Sequence, residues 1–248
     1  LVYGLLFFML ILTPILGTSV RNTRRWIDLG AFRFQPSEFG KLLLVLFLAA
    51  FLAERGKRIY DRQTTTTAIG LAAVPMLLVF LQPDFGTAIV YAAILGAALF
   101  IAGTRWSQVS ALLGLGVAVA AFVLWIGPAI GVHVLKDYQR ERIVGFTNPS
   151  KDPGGATWNI NQSITAVGAG GVNGRGSSGA TQTNYNFLPE HATDFVFAST
   201  AEQRGFLGVT ILLLLYLLVI WRALKVVTLA REAFAAIAAG AIAVMLLV

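Results

Sequence analysis

Apolar residues run along this chain in long windows separated by short polar breaks. Windows near the length of about 20 residues that a helix needs to cross a bilayer fall at roughly 1 to 17, 37 to 53, 66 to 82, 86 to 103, 108 to 127, 195 to 220 and 233 to 248. All are predicted to be helical, because backbone N–H and C=O groups left unpaired in lipid are too costly for any open alternative. The pattern predicts an all-α fold: a polytopic transmembrane helix bundle, one integral membrane domain, with one long loop over about 128 to 194. The first run starts at Leu1 with no basic leader before it and no small-residue cleavage site after it. It reads as a truncated spanning helix and not as a signal peptide. The last run, Phe234 to Val248, reads as cut in the same way.

Composition agrees with a bilayer setting: 56% of the 248 residues are hydrophobic and 12% charged, where a soluble domain carries roughly 25% charged residues. The chain has no cysteine, which excludes a disulfide framework, a thiolate metal site and a thiol nucleophile. The net charge of +7 acquires meaning from its placement. If the spans alternate, the short loops on one side carry Arg55, Lys57, Arg58, Arg62, Arg105, Arg222, Lys225 and Arg231, and those on the other carry Arg21, Arg24, Arg25 and Arg33. The richer side is predicted to be cytoplasmic. The long segment then lies outside, where Lys136, Arg140, Arg142, Lys151 and Arg175 carry little topological weight. Topology leaves the outer arginines unexplained; membrane lipids, and no nucleic acid, are the expected partners.

Arginines on the outer face suit an anionic partner, since the guanidinium fork matches phosphate and stays charged. Lipid pyrophosphate would fit Arg24 and Arg25; snorkelling to phospholipid headgroups would explain the pair equally. Trp26 beside them reads as an interface anchor. Glu38 and Lys41 are three apart, share a helix face and can pair. Pro36 and Glu38 suit a helix start, while Lys41, about a turn further in, could instead point into a cavity and meet Asp194. The cluster Gln82, Pro83, Asp84, Phe85, Gly86, Thr87 leaves almost no room for a loop and predicts a tight outer hairpin. In it Asp84 either caps the next helix or stands on the rim of an outer cavity.

Residues 163 to 183 are rich in Gly, Ser, Thr, Asn and Gln and contain a formal GxGxxG match at Gly174 to Gly179. No strand precedes it and it lies on the outer side, so a dinucleotide site is discounted. It is read as a loop whose N–H groups and Arg175 could cradle a phosphate or sugar. His133 and His191 are isolated and give no metal-ligand spacing. The densest polar stretch against a span is FLPEHATDFVF at 187 to 197. An acid at the mouth of a membrane helix is costly unless it faces water or works there, which singles out Asp194, with helix capping as the plainer role. Glu202, Gln203 and Arg204 inside the following span argue for a hydrated interior nearby.

Five stretches together resemble the SEDS family (shape, elongation, division, sporulation): RRWIDLGAFRFQPSEFGKL at Arg24 to Leu42, QPDFGTA at Gln82 to Ala88, YQRERI at Tyr138 to Ile143, DPGGATWNINQS at Asp152 to Ser163, and FLPEHATDFVF. GATQTNYNFLP leans toward the family's elongation branch over its division branch. The resemblance implies a ten-helix membrane fold, of which about seven helices are present here. It also implies a peptidoglycan glycosyltransferase that polymerises lipid II on the outer face of the bacterial cytoplasmic membrane, with undecaprenyl pyrophosphate as leaving group and a role in elongation and cell shape.

In that reading Asp194 is the general base. Arg24, Arg25, Lys41, Gln82 and Asp84, with Gln162, Ser163, Arg175, Gln182 and Glu190, form the substrate-binding set. The arginines, or a divalent cation such as Mg or Mn, would stabilise the pyrophosphate. The order HATD around His191, and the glutamine and arginine after Glu202, depart from the family pattern and put His191 and Glu202 in question as site residues. The implied partner is a class B penicillin-binding protein, a transpeptidase. A lipid II flippase, a division-specific polymerase, or a scaffold that activates another synthase are the rival readings.

Overall fold

A computed structural model of the chain describes residues 1–20, 23–28, 30, 33–131, 157–189 and 192–248. The all-α membrane fold is as predicted. Among the described residues four helices are long and apolar enough to cross a bilayer, Pro36–Arg55, Arg62–Leu81, Trp106–Ala129 (α5) and Val196–Leu229. Three shorter apolar helices, Val2–Leu16, Phe85–Ile101 and Ala233–Leu247, account for the remaining predicted spans. The chain divides into two compact units, residues 1–116 with 219–248, and residues 117–218.

In the first unit, α1 (Val2–Leu16) leads into an antiparallel sheet of β1 (Thr18–Val20), β2 (Thr23–Asp28) and β3 (Arg33–Phe34). The sheet was not foreseen from the sequence. Thr18 stands opposite Trp26 and Ser19 opposite Arg24, and Ile27 pairs with Phe34. Gln35 then caps α2 (Pro36–Arg55), where Pro36 takes the first turn, in which its missing N–H costs nothing. α3 (Arg62–Leu81), α4 (Phe85–Ile101) and, at the end of the chain, Ala233–Leu247 complete the bundle. Its core contains Leu6, Leu44, Leu48, Tyr91, Ile94, Leu99 and Ile237, each at most 2% exposed.

Two prolines inside helices explain two long-range hydrogen bonds. Pro14 in α1 and Pro75 in α3 have no N–H, so the carbonyls four residues earlier, Leu10 and Leu71, lose their helical donors. In lipid such a carbonyl needs a side-chain partner. Gln82 Nε2, at the end of α3, donates to Leu10 O at 2.8 Å, and Tyr3 Oη in α1 donates to Leu71 O at 3.0 Å. Each helix therefore supplies the donor that the other helix lacks.

The second unit holds a correction. The stretch read as a loop is helical over α6 (Trp158–Gly170), followed by the short turns α7 (Gly176–Gly179) and α8 (Thr181–Asn184). Ile160, Ile164 and Val167 recur at helical spacing, a signal masked by the surrounding small polar residues. The next helix, α9 (Val196–Leu229), is interrupted at Gly205, whose φ of 66° and ψ of −169° lie in a region essentially restricted to glycine. The break is repaired by the segment before α7. Phe206 N donates to Gly171 O at 2.8 Å, Leu207 N to Val172 O at 3.2 Å, and Arg175 N to Glu202 O at 2.9 Å. A Cβ at Gly170, Gly174 or Gly205 would run into the facing backbone, so glycine permits this exchange on both sides.

Candidate active site

The sequence-derived site residues divide between the two units. In the first, Arg25, Gln82 and Asp84 come together and engage one another. Arg25 Nε donates to Gln82 O at 3.0 Å, its Nη2 donates to Pro83 O, and its Nη1 lies 3.7 Å from Asp84 Oδ1. Asp84 is 8% exposed and caps α4 by accepting from Thr87 N at 3.4 Å. Its second oxygen accepts from Gln35 Nε2 at 3.1 Å and Ser37 Oγ at 3.4 Å. Gln35 and Ser37 were not foreseen; only the QPS sequence before α2 marks them. Tyr91 Oη closes the cluster on Ser37 O at 3.2 Å.

The capping role considered for Asp84 is therefore present, and a carboxylate this buried is not on an open rim. Arg25 is held by the hairpin rather than left to snorkel. Arg24 sits in β2 opposite Ser19; its side chain lies outside the described residues. Lys41 Nζ meets Glu38 Oε2 at 2.8 Å along one face of α2, the i,i+3 pair expected from spacing.

In the second unit Asp194 occupies the turn just before α9 and is exposed. No described residue hydrogen-bonds or ion-pairs with its carboxylate. It lies at the edge of an open groove of about 280 Å³ lined by Ser163, Ile164 and Val167 of α6 and by Phe195, Phe197 and Ala198 around the start of α9. One carboxylate and one hydroxyl thus share a largely apolar groove. Ser163 Oγ donates to Ile160 O at 2.7 Å, which leaves its lone pairs for the groove. Gln162, its neighbour on α6, is half-buried. Such an arrangement can accept a proton from a hydroxyl while its walls hold an apolar chain.

Arg175 is spent locally, with Nε donating to Ala169 O at 3.0 Å and Nη1 to Thr181 Oγ1 at 3.4 Å. Gln182 gives its main-chain N–H to Glu202, and its side-chain Oε1 is buried without a hydrogen bond to any described residue. Glu190, His191 and His133, with the motif at 138–143, lie outside the described residues. Among the described residues no group of three or more His, Cys, Asp or Glu side chains could hold a metal ion.

The model of the cell cycle protein family of FtsW, RodA and SpoVE matches residues 1–248. The chain belongs to this family. Among its relatives, the peptidoglycan glycosyltransferase MrdB of Escherichia coli (strain K12) is 38% identical over 247 residues, 99% of this chain and 64% of MrdB. Stage V sporulation protein E of Bacillus subtilis (strain 168) is 39% identical over 223 residues, 89% of this chain and 58% of its own length. A chain from the study "Structural coordination of polymerization and crosslinking by a peptidoglycan synthase complex" is similar with a TM-score of 0.78 at 28% identity, covering 98% of this chain and 65% of that one. The rod shape determining protein RodA of Thermus thermophilus gives 0.63 at 25% identity, covering 98% and 60%. The chain therefore spans somewhat under two thirds of the length of these family members.

Proposed function

We propose that this chain carries the catalytic core of a peptidoglycan glycosyltransferase that polymerises lipid II, with Asp194 as general base. The observation that carries the reading is an unengaged carboxylate beside an apolar groove, in a chain 38% identical to a protein named peptidoglycan glycosyltransferase. A sugar hydroxyl is a poor nucleophile until its proton is withdrawn. Asp194 takes that proton, the hydroxyl oxygen forms a bond to the anomeric carbon of the second lipid II, and the bond from that carbon to the pyrophosphate breaks. Undecaprenyl pyrophosphate leaves with the electron pair, and attack opposite the leaving group inverts the anomeric centre. The apolar wall of Ile164, Val167, Phe195 and Phe197 suits a lipid-linked substrate, and Ser163 is placed to orient a polar group beside Asp194.

The reading puts Asp194 on the extracytoplasmic face, from the distribution of basic loop residues, and assigns the enzyme to cell elongation and shape. Arg24, Arg175, Gln162, Gln182 and Glu190 remain proposed substrate contacts. A class B penicillin-binding protein is the proposed partner, supported by likeness to a chain of a peptidoglycan synthase complex. The test is Asp194→Asn in the full-length protein with purified lipid II. Polymer should vanish while lipid II binding persists. Polymer made at the normal rate would remove the base, and lipid II translocation without polymer by the unaltered protein would favour a flippase.

A further inference from the structure

Glu202 plays no part in the reaction just described, yet it is completely buried within an apolar span. We propose that Glu202 is a positioning residue: its carboxylate fixes the chain segment that returns to Asp194, and so sets where the general base stands. The proposal rests on the general-base reading of Asp194.

A buried carboxylate is tolerated when its lone pairs are matched by donors. Here the donors all come from one turn. Oε1 accepts from Gln182 N at 2.8 Å, and Oε2 accepts from Thr183 N at 3.0 Å and Thr183 Oγ1 at 2.8 Å. No Lys or Arg among the described residues pairs with it, so charge neutralisation is not its role. The turn it grips begins the return to Asp194. Leu188 N donates to Gln182 O at 3.0 Å, and the Leu188 side chain packs with Ala166 and Ala198, against which Phe195 also rests. Ala198 and Glu202 lie on the same helix, one turn apart, and Asp194 stands in the turn that leads into it.

The helix itself is fixed at Glu202. Glu202 O accepts from Arg175 N, and beyond Gly205 the N–H groups of Phe206 and Leu207 are bound by Gly171 and Val172. A helix that slipped by one residue would swing the turn before it by roughly 100° about its axis. The apolar cluster of Ala166, Leu188 and Ala198 is small and non-directional. The backbone exchange with residues 171 to 175 sets the register of the helix, and the directional hydrogen bonds of the Glu202 side chain tie the turn at Gln182 and Thr183 to that register.

Glu202→Gln tests this, because the amide NH2 would face a backbone N–H where an acceptor is required. The variant is made in the full-length protein beside Asp194→Asn, and lipid II polymerisation is measured per lipid II-binding molecule. Misplacement of a reacting group by about 1 Å can cost on the order of 10²-fold, so kcat should fall by roughly that factor. KM for lipid II should stay within about two-fold, the signature of an interaction lost in the transition state only. Hydrogen exchange at the Gln182 and Thr183 amides should quicken in Glu202→Gln and not in Asp194→Asn. A purely structural role would lower the number of binding-competent molecules and leave kcat per molecule unchanged. That result, with Asp194→Asn inactive, overturns the inference alone. An active Asp194→Asn overturns the base and this inference with it. Should Glu202→Gln fail to fold, Thr183→Val removes a single donor; a lowered kcat at unchanged KM supports positioning, and an unchanged kcat sinks it.

Discussion

Asp84 and Asp194 stand in nearly the same local sequence. Each precedes a phenylalanine at the start of an apolar helix, and each could cap that helix from sequence alone. Their environments differ completely. Asp84 is buried and accepts from Thr87, Gln35 and Ser37 beside the Arg25 guanidinium. Asp194 is exposed beside a groove with no described partner. Their supports also differ. Around Asp84 long-range side-chain contacts hold the structure, whereas the helix behind Asp194 is held by exchanged backbone bonds across three glycines and by Glu202. A carboxylate whose lone pairs are filled can serve only as an anchor; one left open on a rigid base can take up a proton.

Exchanging the charge at each position separates the two roles. Asp194→Asn in the full-length protein should lower lipid II polymerisation by at least about 10²-fold, the usual contribution of a general base. Because the side chain is exposed, unfolding should move by no more than about 0.5 kcal/mol. A large loss of stability with polymerisation intact would reverse the assignment.

Gly205→Ala probes the backbone support. The conformation at Gly205 costs a non-glycine residue about 1–3 kcal/mol, and the added Cβ would also press on Gly174 N and Val172 O. The expected destabilisation is about 3 kcal/mol, read as a lowered thermal midpoint, with polymerisation lost in parallel. Full activity in Gly205→Ala would mean that the break is not needed to hold Asp194. Asp84→Ala should cost about 2–3 kcal/mol. That is below the usual figure for breaking a fully buried pair, because the Arg25 side chain keeps 24% of its exposure. Lipid II turnover per folded molecule should be spared, and its loss at unchanged stability would return Asp84 to the site.

The helices were legible because lipid acts as a uniform solvent and imposes one long apolar pattern on every span. α6 was not read, since Gly, Ala, Asn and Thr dilute its Ile160, Ile164, Val167 stripe to a soluble-looking average. The break in α9 has no local signature beyond a glycine inside a span; it follows from tertiary exchange with residues 171 to 175. The Arg25–Asp84 contact joins residues 59 apart through a small sheet that no periodicity announced. Asp194 could be singled out by cost alone, an acid at the edge of lipid. Glu202 carried that same signal inside the span, but its role depends on the turn at 181 to 184, which sequence did not place.

The smallest effects should come from the reciprocal proline repair beside Asp84. Tyr3→Phe removes the donor to Leu71 O, and Gln82→Leu removes the donor to Leu10 O. Hydrogen bonds between membrane helices average about 0.6 kcal/mol and reach about 1.7, so each variant should lose about 1 kcal/mol in thermal unfolding. The carbonyls are orphaned only because Pro14 and Pro75 lack an N–H. Pro75→Ala should therefore restore an internal donor to Leu71 O and make Tyr3→Phe nearly silent in its background. Equal losses with and without Pro75 would show that Tyr3 acts through packing on Phe47, and the Asp84 region would then owe less to side-chain hydrogen bonding than its geometry indicates.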